Sequence, residues 1–174
     1  DLETLASFWA QYSLDDVTDL KGIQAGVQNT NYLVSTRDMK YILTLYEDTQ
    51  TGVDPKDLPF FLGLLEHLSG QGLACPSPIQ QTNGSLLGQL AGRPAALVSF
   101  LNGRGTVTPK PLHCRNAGAA LARMHLAGAD FSMQRENTQG LSNWRHLFEA
   151  CQTRADEVTP GLASLIDGEL ARLE

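Results

Sequence analysis

Cysteine is scarce in this chain of 174 residues, and the three present, Cys75, Cys114 and Cys151, stand far apart with no CxxC pair. That argues against a disulfide framework or a cysteine-based zinc site and makes a reducing, cytoplasmic setting the expectation. Basic residues are also few: 13 Lys and Arg against 19 Asp and Glu leave a formal charge of −6. With no Lys/Arg cluster to offset it, this balance argues against nucleic acid or an anionic membrane as a partner. No apolar run approaches the roughly 18 residues of a membrane span, and the start has no basic-then-apolar signal pattern. His67, His113, His125 and His146 lack metal-ligand spacing, and none stands with Ser, Cys and a carboxylate in a catalytic arrangement. There is no internal repeat and no low-complexity segment. The chain opens at Asp1 without a methionine and closes at Glu174 inside a helical pattern, so it reads as a piece of something longer.

What is present is enough apolar residue, 42% against 18% charged, to build the core of one large domain or two small ones. The most informative stretch runs from Lys21 to Glu47. Gly22 and Gly26 allow positive φ and close backbone approach, and Gln28, Asn29, Thr30 and Asn31 add polar side chains. Two β-type runs, Asn31 to Ser35 and Tyr41 to Tyr46, follow around a polar turn at Thr36 to Met39. A flexible loop closed by two antiparallel strands can lay backbone N–H groups over an anion such as a phosphate. The same residues also suit a plain β-meander whose glycines only make turns. In the second run Tyr41, Leu43 and Leu45 share one face, and Lys40, Ile42, Thr44 and Tyr46 the other.

Around this stretch the periodicity sketches an organisation. Residues 2 to 12 place Leu2, Leu5, Phe8, Trp9 and Tyr12 on one helical stripe, with Phe8 and Trp9 read as packing residues. Val17 to Ile23 is β-type. Asp54 or Asp57 caps a helix striped by Leu58, Phe61, Leu62, Leu65 and Leu68 and ended by Gly70 or Gly72. Glu66 falls at the border of that stripe, free to turn inward, and His67 falls opposite it, in solvent. Asn83-Gly84 marks a hairpin between Ile79–Gln81 and Ser85–Leu90, and a strand covers Ala95 to Leu101. Residues 102 to 111 read as a linker and domain boundary. Beyond it the pattern is helical. Thr108-Pro109 starts a helix whose stripe of Cys114, Ala117, Gly118, Leu121, Met124 and His125 predicts close burial, with His125 in the core. Ser142 caps a second helix through Trp144, Leu147, Phe148 and Cys151, and Thr159-Pro160 starts a third through Leu170. Asp130-Phe131 and Asp167-Gly168 look like the short metal-binding Asp motif of kinases, but neither follows a strand, and both are read as structural.

The successive segments Asn29-Thr30-Asn31-Tyr32-Leu33, Tyr41 to Glu47 and Asp57 to Gly63 resemble homoserine kinases of the branch related to choline and aminoglycoside kinases. Gly92-Arg93-Pro94-Ala95-Ala96-Leu97-Val98, Leu121 to Gly128 and Gly140 to Arg145 continue the resemblance in order across essentially the whole chain. No single motif is diagnostic; the ordered set is fairly specific. It implies an α+β, protein-kinase-like fold: an N-terminal antiparallel sheet lobe with one inserted helix (1–101), a linker (102–111) and the first helices of a C-terminal lobe (112–174). It implies ATP and Mg²⁺ as cofactors and L-homoserine as the small-molecule substrate, phosphorylated on its hydroxyl on the route to threonine. In those terms Gly22, Gly26, Asn29, Thr30 and Asn31 would cover the ATP phosphates, and Ile42 would sit against adenine. Ser99, Phe100 and Leu101 would form the hinge that meets adenine through its backbone. Glu66 would occupy the helix position that normally pairs with a phosphate-binding lysine.

The chain departs from the pattern at Thr44, which stands where many relatives carry Lys or Arg. Lys40, on the same face, is about 13 Å away along a strand. Phosphate neutralisation would fall to Mg²⁺, backbone N–H groups and Lys21. The chain contains no His-x-Asp and no Asp-x-x-x-x-Asn motif, so catalytic and metal-binding residues are expected downstream of Glu174 and the isolated 174 residues are expected to be inactive. Two other readings remain open: the same fold acting on choline or an aminoglycoside-like alcohol, and a non-catalytic nucleotide- or partner-binding module.

Overall fold

A computed structural model describes residues 2–24, 29–47, 54–138 and 140–173. Contacts group the chain into two compact units, Asp1–Met133 and Gln134–Glu174.

The first unit is built on an antiparallel sheet of five strands among the described residues, in the order β1-β2-β3-β5-β4. The strands are β1 (Asp19–Ile23), β2 (Asn29–Ser35), β3 (Lys40–Tyr46), β4 (Gly88–Leu90) and β5 (Arg93–Ser99). Period-two alternation gives β3 its faces. Tyr41, Leu43 and Leu45 are buried, whereas Lys40 is exposed and Ile42, Thr44 and Tyr46 are half-buried. The buried face is covered by helix α1 (Leu2–Trp9) and the turn after it. Phe8, Trp9 and Tyr12 join Val34, Leu43, Leu45, Ala95 and Leu97 in one core. The Trp9 indole N–H donates to the Asp15 carbonyl at 3.0 Å, so the aromatic stripe is packing, as its spacing indicates. The Thr36–Met39 turn closes on itself: the Thr36 N–H donates to the Met39 carbonyl at 2.9 Å and the Met39 N–H to Thr36 Oγ1 at 3.2 Å.

Asp54 caps a 3-10 turn (Pro55–Asp57) by accepting the Lys56 N–H, and α2 (Leu58–Gly70) continues from it with Leu58, Leu62 and Leu68 buried. The Asn83-Gly84 turn forms, with the Gln81 N–H on the Ser85 carbonyl, but the hairpin expected around it does not extend as a ladder. Ile79 instead donates to Leu97 of β5, so the segment before the turn is spent on the sheet edge and only Gly88–Leu90 is strand. A tighter hairpin joins β4 to β5. Ala91 and Gly92 both have positive φ, 51° and 74°, the pair that a two-residue turn matching the strand twist requires.

Residues 100–110 carry no helix or strand, and α3 (Pro111–Ala127) begins at Pro111 rather than at Thr108-Pro109. The sequence reading of α3 as a buried helix is corrected: none of its residues is buried, and His125 is exposed rather than core. Small residues on a stripe allow close packing but do not supply a partner, and among the described residues nothing covers that face. Its C-terminal end is held, however. His67 Nε2 lies 2.8 Å from the Ala127 carbonyl and 3.1 Å from Asp130 Oδ1, with the ring 5.4 Å from that of Phe131. His67 is therefore a half-buried packing residue, not a solvated one.

The second unit is a small cluster of α4 (Leu141–Glu149), α5 (Gln152–Val158) and α6 (Leu162–Leu173), packed through Phe148, Ala155 and Leu170. Helix α4 starts after Gly140, two positions earlier than a Ser142 cap implies, and the sequence of α5, Gln-Thr-Arg-Ala-Asp-Glu-Val, has no apolar stripe to announce it. Arg145 pairs with Asp167 at 3.0 Å, giving the carboxylate of Asp167-Gly168 a structural role.

Candidate functional site

Of the residues the sequence marks for function, the face of the sheet opposite α1 carries Asn29, Asn31, Ile42 and Thr44, while Thr30 lies on the core face in register with Leu45. Antiparallel register places Lys21, Leu33, Ile42 and Val98 in one row across four strands. The next row is Ile23, Asn31, Thr44 and Ala96, and Asn29 and Tyr46 lie beyond it. Two residues along a strand separate the rows by about 7 Å. The arrangement is an apolar shelf of half-buried Leu33, Ile42 and Val98 beside a polar step. A flat apolar ring and a polar extension from it would each find the matching surface.

The polar step is tied together. Thr44 Oγ1–H donates to Asn31 Oδ1 at 2.8 Å, so the two residues are a hydrogen-bonded cross-strand pair, and the Asn31 amide nitrogen lies 3.5 Å from the Asn29 carbonyl. Thr44 and Asn31 thus form one neutral hydrogen-bonded unit in the polar row of this face. Gly22 faces the other way, toward Tyr32, with room for a Cβ, so close approach does not demand glycine there. Gly26 lies outside the described residues. Beyond Asn31 and Thr44, burial raises the Tyr46 phenol above its ordinary value of 10.0.

The expected hinge lies where β5 ends. The Ser99 N–H donates to the Ser77 carbonyl at 2.8 Å and the Phe100 N–H to the Lys40 carbonyl at 3.1 Å. The Leu101 N–H makes no hydrogen bond among the described residues, and its side chain is 46% exposed. Leu101 is the one hinge residue with a main-chain donor to offer. Glu66 is not joined to the polar step; its Oε1 accepts a hydrogen bond from Gln80 Nε2 at 2.8 Å. Thr44 carries no charge to draw it in, and the carboxylate is engaged by Gln80 instead. Among the described residues no three His, Cys, Asp or Glu side chains group as metal ligands.

Sequence reasoning missed Glu47 and Arg93. Glu47 Oε1 accepts Thr30 Oγ1–H at 2.6 Å and pairs with Arg93 Nη1, while the Glu47 N–H donates to Asn29 Oδ1 at 3.4 Å. The available signal was an acid two residues after Leu45, on the apolar side of the alternation. Its partner depends on the register of β3 with β5, which one sequence does not print.

Residues 19–174 match the model of the phosphotransferase enzyme family, and the chain belongs to that family. Within it the chain is 49% identical over 170 residues to a homoserine kinase of Xanthobacter autotrophicus, covering 98% of this chain and 52% of that protein. It is 50% identical over 170 residues to a homoserine kinase of Methylobacterium radiotolerans, with the same coverage. It spans about half the length of the curated relatives it matches. Among solved structures it is similar to a spectinomycin phosphotransferase in complex with ADP and spectinomycin, at TM-score 0.61 and 15% identity over 98% of this chain and 53% of that one. An amicoumacin kinase in complex with AMP-PNP and Ca²⁺ gives TM-score 0.61 at 13% identity, over 90% of this chain and 52% of that one. The fold is the protein-kinase-like α+β fold that the ordered segments imply.

Proposed function

We propose that the protein carrying this chain transfers the γ-phosphoryl group of ATP to the side-chain hydroxyl of L-homoserine, giving O-phosphohomoserine and ADP. The observation that carries this reading is identity of about half the residues with homoserine kinases over 98% of the chain. In it, residues 1–101 form the nucleotide-binding lobe. Leu33, Ile42 and Val98 take the adenine, and the free Leu101 N–H donates to the ring edge, after Ser99 and Phe100 have spent theirs within the fold. Gly22, Gly26 and the Asn29–Asn31 run meet the phosphates, with the Asn31–Thr44 pair supplying neutral hydrogen-bonding groups there. Such a pair orients phosphate oxygens but offsets none of their charge, which leaves that task to Mg²⁺, backbone N–H groups and Lys21.

The deciding assay measures ADP release by the full-length protein with homoserine, choline and an aminoglycoside as acceptors. Homoserine is expected to be preferred by orders of magnitude, with a phosphomonoester product seen by phosphorus NMR. Turnover of choline or an aminoglycoside in its place would move the protein to another acceptor class. ATP binding without turnover of any alcohol would favour a binding module.

A further inference from the structure

Glu47 follows the last residue of β3 and, by the alternation of that strand, lies on the core face, away from Ile42 and Thr44. From there it reaches two strands. Its carboxylate accepts the Thr30 hydroxyl of β2 and pairs with Arg93 of β5, and its N–H donates to Asn29 Oδ1. One residue thus holds both Asn29 and Thr30.

The backbone explains why a side chain is needed there. Phe100 donates to the Lys40 carbonyl, so hydrogen-bonded rungs between β3 and β5 recur at Ile42/Val98 and Thr44/Ala96. The next rung falls at Tyr46/Pro94, where proline has no N–H, and the ladder ends at Leu45–Ala95. Glu47 and Arg93 are opposite one another one position further on. Their ion pair, with side chains 29% and 39% exposed, carries the strand connection past Pro94, which can accept but not donate.

We propose that Glu47, clamped by Arg93, is a positioning residue for the polyphosphate: it fixes the Asn29–Asn31 run whose other face the phosphates meet. It touches no nucleotide and acts through Asn29 and Thr30. This rests on the nucleotide reading above, and the test separates the two.

Dissociation constants for ATP and adenosine are measured by calorimetry on the full chain, for wild type, Glu47→Ala, Glu47→Gln and Arg93→Met. Loss of a charged hydrogen-bond acceptor is expected to weaken ATP about tenfold in Glu47→Ala while adenosine changes by less than about twofold. Glu47→Gln keeps an acceptor for Thr30 and is expected to fall between Glu47→Ala and wild type. Equal weakening of ATP and adenosine would show a general structural role and overturn the proposal, as would unchanged ATP binding. If Glu47→Ala loses its cooperative thermal transition, the same ratio is read from Glu47→Gln and Arg93→Met, and an unchanged ratio in both overturns it. A wild-type chain that binds no ATP removes the nucleotide reading itself, and the role of Glu47 with it.

Discussion

Thr44 has one hydroxyl and gives it to Asn31, so its replacement by the isosteric Val isolates that hydrogen bond. Thr44→Val leaves a half-buried amide oxygen without its donor, which costs about 1 kcal/mol. For a chain of this size that is a fall in Tm of about 2–4 °C. Thr44→Ser keeps the donor and is expected to lose less; equal losses in the two variants would assign the effect to the methyl group instead. Two tyrosines make a second prediction. Burial raises the phenols of Tyr12 and Tyr46 above 10.0, with a hydrogen bond from Gln81 partly countering the effect at Tyr12. The folded state then holds these protons to higher pH than the unfolded chain does. Their contribution is complete below the ordinary phenol value and is lost as pH rises through the elevated folded values. Urea titrations from pH 8 to 11 are expected to show stability falling above about pH 10. Tyr46→Phe and Tyr12→Phe should flatten that slope, and an identical slope in both variants would rule the two phenols out as its source.

The sheet is most sensitive where α1 meets β4. A Cβ on Gly88 would come 2.4 Å from Gln81 Nε2 and 2.9 Å from Phe8 Cε2, and both side chains are buried. Gly88→Ala is expected to cost about 1–3 kcal/mol, read as a shifted denaturant midpoint, because neither neighbour can withdraw without opening the core. The β4–β5 turn offers the opposite case. Ala91 sits at φ 51°, where L residues with a Cβ are strained, so Ala91→Asn should gain about 0.5 kcal/mol. A loss there would mean that the Ala91 methyl is needed for packing. Elements of this kind were legible wherever one residue reports its own environment. The apolar alternation of Tyr41, Leu43 and Leu45 announced β3, and Phe8 and Trp9 announced a packed α1. The stripe of α3 announced burial and was wrong, since periodicity records a face and not what covers it. His67 was misplaced for a related reason. Angular position on α2 put it in solvent, while its neighbours Ala127, Asp130 and Phe131 come from some sixty residues later. Within the candidate site, Asn31, Ile42 and Thr44 were marked by the family resemblance of their segments, and the short turn between β2 and β3 sets their rows side by side. The Glu47–Arg93 pair could not be named in advance, because 46 positions separate its members and only the sheet register joins them.

At the scale of the whole molecule, the proposed reading predicts that binding and turnover can be separated. The 174 residues contain the sheet, its apolar shelf and the free Leu101 N–H, but no His-x-Asp or Asp-x-x-x-x-Asn motif. A polypeptide of these residues alone is expected to bind ATP and to release no ADP on addition of homoserine; homoserine-dependent release would refute this. Leu101→Pro removes the proposed main-chain donor and should weaken ATP and adenosine alike, by about fivefold to tenfold for one hydrogen bond. That pattern distinguishes it from Glu47→Ala. The neutral Thr44 also bears on how such a protein can be found at all. Chemical surveys that mark nucleotide sites by acylating a nearby lysine amine need a nucleophile that Thr44 and Asn31 do not supply. Among the described residues the lysines in register on this face are Lys21, on the edge strand β1, and Lys40, whose ammonium lies 5.9 Å from the Phe100 ring centroid. Under the proposed nucleotide reading, a survey of that design is expected to tag Lys21 at the sheet edge rather than the Thr44 position.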